Sequence, residues 1–62
     1  MNKQELQQNI LKLIRNEREL TLMYAIDLVK GNITKENFKE KLDQLFSNTD
    51  SMIENRIERL ED

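Results

Sequence analysis

A chain of 62 residues, 37% apolar and 35% charged with a net charge of −2, is one small domain spanning residues 1–62. It contains no Cys and no His, which excludes disulfides and thiol chemistry and removes the commonest metal ligand and the usual acid–base group near neutral pH. A domain of this size buries only about 60% of its unfolded surface, so oligomerisation is the stabilising device left open to it.

The first element begins near Leu6. Leu6, Ile10, Leu13, Ile14, Leu20, Tyr24 and Leu28 recur at spacings of three and four, the period of an amphipathic helix. A polar run, Arg15-Asn16-Glu17-Arg18-Glu19, interrupts the pattern. Leu22, Met23, Ile26 and Val29 widen the apolar surface beyond the stripe of about 100° that one partner covers.

The single glycine, Gly31, ends this helix in a chain with no proline. Gly31 suits the left-handed C-terminal cap, and Lys30 faces the negative end of the helix dipole. Thr34 is a good N-cap, and Ile33 and Phe38 flank it with the spacing of a hydrophobic staple. Gly31, Ile33, Thr34 and Phe38 therefore predict a reversal between two helices.

The second element carries Phe38, Leu42, Leu45, Phe46, Met52, Ile53, Ile57 and Leu60. Its weak point is Ser47-Asn48-Thr49-Asp50-Ser51, five poor helix formers, where Ser51 with Glu54 also fits a capping box. The apolar phase nevertheless runs through Leu42, Phe46, Thr49, Ile53 and Ile57, which predicts one continuous helix. A break near 47–51, giving a three-helix bundle, is the alternative.

Folding at Gly31 pairs residues whose numbers sum to about 65. The two polar interruptions then meet, predicting a belt of Arg15, Glu17, Arg18 and Asp50 in which Arg15 or Arg18 pairs with Asp50. Such a layer penalises slipped pairings. The expected fold is all-α: an antiparallel two-helix hairpin. Its wide apolar surface predicts dimerisation into a four-helix bundle. Leu13, Leu20, Tyr24, Ile26, Leu45, Phe46 and Ile53 are the candidates for self-association.

No chemistry is legible in the chain. One glycine cannot form a phosphate-cradling loop, and Glu36/Glu40 and Glu54/Glu58 sit among basic neighbours as solvated helix faces do. An enzyme is not expected, nor a metal, a cofactor or a small-molecule substrate. No apolar run reaches the roughly 20 residues of a membrane span, and Met1 to Glu5 lacks the apolar core of a signal peptide, so the expected compartment is the cytoplasm. The Lys, Asn, Ile and Glu usage suggests a bacterial, plasmid or phage gene. No basic stripe stands out for nucleic acid. The segment from residue 50 onward is acidic.

Two resemblances accompany this reading. "MNKQE" and "LIRNERELTLM" are similar to the first helix of the Rop family of plasmid copy-number regulators, with a one-residue offset. That likeness implies a homodimeric four-helix bundle binding RNA loops through paired first helices; Lys3 matches the family's start, and Ile14 and Arg18 fall near its RNA face. "GNITKENFKEKLDQLF" resembles a SHOCT-type motif at Gly31, Ile33, Thr34, Glu36, Phe38, Lys41 and Leu45, which implies interaction rather than catalysis. The function expected is a small regulator or inhibitor acting through an unidentified protein partner as a helical homodimer; the alternative is an RNA-binding regulator of the Rop type.

Overall fold

The computed structural model describes residues 2–60 and contains two helices, α1 (Lys3–Lys30) and α2 (Lys35–Glu58), packed antiparallel as a hairpin. Asn2 caps α1, its side chain accepting from the Glu5 amide at 2.8 Å. At the other end Gly31 adopts φ 81° and ψ 15°. The Asn32 N–H donates to the Asp27 carbonyl at 2.9 Å and the Gly31 N–H to that of Leu28 at 3.1 Å, so the last turn of α1 closes on itself. Three residues later the Thr34 hydroxyl accepts from the Asn37 amide at 3.1 Å and opens α2. Ile33 and Phe38, on either side of the cap, are both half-buried, as the staple requires.

The helix α2 runs without interruption through residues 47–51. Thr49 is buried to 7% exposure while Ser47, Asn48, Asp50 and Ser51 are exposed. Weak propensity costs each residue a few tenths of a kcal/mol relative to Ala, and packing of the inward face outweighs that sum. Ser51 therefore lies inside a helix rather than at a cap, and among the described residues there is no third helix.

The polar belt differs from its expected form. Arg15, Arg18 and Asp50 are exposed, and among the described residues neither arginine is paired with Asp50. The buried place at this level belongs to Thr49, opposite the half-buried Glu17, whose backbone carbonyl accepts from the Thr21 hydroxyl at 2.8 Å. Charged heads on long or acidic side chains stay in water because burying them unpaired is far costlier than burying one hydroxyl.

The molecule is a flat slab. Its Cα extents are 48 × 16 × 8 Å and its radius of gyration is 14.5 Å, against about 10.6 Å for a compact chain of this length. Only Leu6 among the described apolar side chains falls in the buried class, at 7% exposure. Two helices side by side enclose a line of contact and not a volume, so both broad faces stay open.

Candidate functional site

Successive helical residues turn by about 100°, so the buried Leu6 and Thr49 fix which way every other side chain points. Leu6, Tyr24 and Leu28 of α1 face Phe38, Leu42 and Thr49 of α2, and all are half-buried or buried. This leaves two broad faces and two edges.

The first broad face is a groove lined by Leu13, Asn16, Glu17 and Leu20 from α1 and by Leu45, Asn48, Thr49 and Met52 from α2. Toward the turn it continues past Tyr24, Lys41 and Gln44. The Lys41 ammonium lies 5.3 Å from the centre of the Tyr24 ring and covers it. Amides and this cation make the first face a mixed surface.

The opposite broad face carries a cluster of aliphatic side chains away from the turn. Rotation from the inward line places Ile10, Ile14, Thr21 and Ala25 of α1 beside Phe46, Ile53 and Ile57 of α2, with the exposed Lys39 and Asp43 on the same face nearer the turn. Ile14 is 47% exposed, Phe46 40% and Ile57 52%. Arg18 and Asp50 flank this face at its middle, both exposed.

The two edges are opposites in character. The edge of α2 turned away from α1 carries Glu36, Glu40, Ser47, Ser51, Glu54 and Glu58, all exposed. The corresponding edge of α1 forms a shallow apolar depression lined by Leu22, Ala25, Ile26, Val29 and Lys30. Val29 there is 88% exposed, Leu22 56% and Ile26 53%. Lys12, Arg15 and Arg18 continue that edge toward the N-terminus. A polar depression at the start of α1 is lined by Asn2, Gln4, Glu5 and Gln8 among others.

The self-association candidates are thus distributed over three surfaces. Leu13, Leu20, Tyr24 and Leu45 belong to the first face, Phe46 and Ile53 to the opposite face, and Ile26 to the α1 edge. The reversal residues Gly31, Ile33, Thr34 and Phe38 act together at the turn. Two further residues act as determinants. Asn2 is the first N-cap, signalled by Asn-x-x-Glu at the start of the chain. Thr49 is the buried polar position, signalled by its place in the apolar phase of α2.

Among the described residues no group of three or more acidic side chains is placed to hold a metal ion, and no helix is long and apolar enough to cross a membrane. Glu61 and Asp62, the end of the acidic segment, lie outside the described residues. Compared with known proteins, the chain matches no family model, no curated sequence and no solved structure.

Proposed function

We propose that this chain is a small non-enzymatic regulator or inhibitor that acts through protein–protein contacts as a helical homodimer. The observation that supports it is the α1 edge. Leu22, Ile26 and Val29 lie more than half exposed on a helix that already buries its other side against α2. Isolated apolar residues on a surface are ordinary, but a contiguous set flanked by basic side chains is what a partner-binding helix presents. The charge pattern favours an amphipathic partner helix with acidic flanks, since Arg15, Arg18 and Lys30 share or border that edge.

The test is co-purification of the tagged chain with Leu22→Asp and Ile26→Asp variants beside it. A protein partner that survives high salt and nuclease and is lost with either variant, while helicity by circular dichroism is kept, is the expected result. Partner binding unchanged by both variants overturns the assignment to this edge.

A second reading is binding of structured RNA in the manner of Rop-type regulators. The exposed Lys12 and Arg15 on α1, with the amides of Gln4 and Gln8 nearby, favour it. Nuclease-sensitive binding, weakened by Lys12→Glu and falling steeply with salt, is its signature.

A further inference from the structure

The total exposed surface of the chain is larger than a monomer of this mass carries. It is 5287 Å² for 7.5 kDa, whereas folded monomers of that mass expose about 4,250 Å². The excess is about 1,000 Å² per chain. Covered by a second copy, it makes an interface of about 2,000 Å² in total, within the range of homodimers. The α1 edge is too narrow for this area. The broad face of Ile14, Phe46, Ile53 and Ile57, drawn from both helices, is wide enough.

From this area and from the placement of two charges, we infer that a second copy packs on the face of Ile14, Phe46, Ile53 and Ile57, with α1 of each chain lying over α2 of its partner and both turns at the same end. The inference rests on the homodimer reading and specifies its geometry. Arg18 and Asp50 stand at nearly the same height on this face, one on each helix, with Ile14, Ile53 and Ile57 on the side away from the turn and Phe46, then Asp43 and Lys39, toward it. A twofold axis along the hairpin sets Arg18 over the partner's Asp50 and Asp50 over the partner's Arg18, so the four charges alternate. The other face-to-face sense, with turns at opposite ends, stacks Arg18 on the partner's Arg18 and Asp50 on the partner's Asp50. Like charges placed opposite one another across an interface cost several kcal/mol, so the alternating sense is favoured. The alternating sense also sets Ile14 over the partner's Ile53 and Ile10 over the partner's Ile57, which keeps the apolar layers in register.

The belt that Arg18 and Asp50 do not complete within one chain is thereby completed between two. Because both side chains are at the rim, they exchange water for each other without full desolvation.

The experiment combines sedimentation equilibrium of the native chain, Arg18→Glu, Asp50→Lys and the double swap with a distance measurement between turns. The chain has no Cys, so Asn32→Cys carries a single spin label on the exposed turn. The native chain is expected to be a dimer. Each single reversal is expected to raise the dissociation constant about 100-fold, and the swap to restore it to within about tenfold. Turn-to-turn label distances are expected below about 25 Å, since helices pack 8–10 Å apart. A label distance approaching the 48 Å length of the slab overturns this arrangement while leaving the homodimer intact. Unchanged dimerisation of both single variants places the interface elsewhere and overturns it as well. A native chain that is monomeric at all concentrations overturns the homodimer reading itself. Circular dichroism of each variant separates dissociation from unfolding, and the label distance is read on otherwise native protein.

Discussion

Lys41 of α2 holds its ammonium 5.3 Å from the centre of the Tyr24 ring of α1. The two numbers sum to 65, and so do those of Leu13 and Met52, or of Leu20 and Leu45, which line the same groove. One relationship therefore reports the register of the whole hairpin. A cation over an aromatic face contributes about 0.5–1 kcal/mol when partly exposed. A double-mutant cycle of Tyr24→Leu and Lys41→Gln, followed by urea unfolding, is expected to give a coupling of that size. A coupling indistinguishable from zero means that the ammonium spends its time in water.

Continuity of α2 through residues 47–51 makes a prediction by sign. Ser51 lies exposed in the interior of a helix, so Ser51→Ala is expected to raise stability by a few tenths of a kcal/mol, as Ala replaces a poorer helix former. Were Ser51 a cap beginning a third helix, the same change would lower stability by about 1 kcal/mol. Thermal unfolding of the two proteins decides between the signs.

At the turn, Gly31 and Thr34 do different jobs. A Cβ on Gly31 meets no atom within 4 Å, so Gly31→Ala suffers only from its backbone at φ 81°. That conformation costs a non-glycine residue about 1–2 kcal/mol, and Gly31→Asn is expected to recover part of it. Thr34→Ala leaves the Asn37 amide without its acceptor and is expected to cost about 1 kcal/mol. Urea midpoints measured at one protein concentration give all three values.

Burial predicts a contrast between two aliphatic residues of α1. Leu6 is 7% exposed and Val29 is 88% exposed. Leu6→Ala is expected to destabilise the fold by about 2–3 kcal/mol, near the low end for buried leucines because the end of the helix relaxes. Val29→Ala is expected to change stability by less than about 0.5 kcal/mol. A Val29 substitution that instead behaved like a core change would show that the α1 edge is covered in the native assembly.

Much of this architecture was written locally. Gly31, Lys30, Thr34 and the Ile33/Phe38 pair specify the reversal by cues that act within one turn of helix, and the structure places all of them as those cues require. The spacing of Leu6, Ile10, Leu13 and Leu20 specified which line of α1 turns inward, because a helix repeats every 3.6 residues whatever lies beside it. The register followed from the length of the turn. The apolar phase through Thr49 likewise specified one continuous helix across residues 47–51 despite their poor propensity. Two matters needed the tertiary structure. The polar residue buried at the middle of the hairpin was expected among Arg15, Glu17, Arg18 and Asp50, and that place belongs to Thr49. The apolar residues of α1 read as one wide band, yet α2 covers one side of it and leaves Leu22, Ile26 and Val29 on the edge and Ile14 on the broad face. Pattern along a helix records which residues avoid water; which of them are reached, and by what, depends on where the neighbouring helix lies.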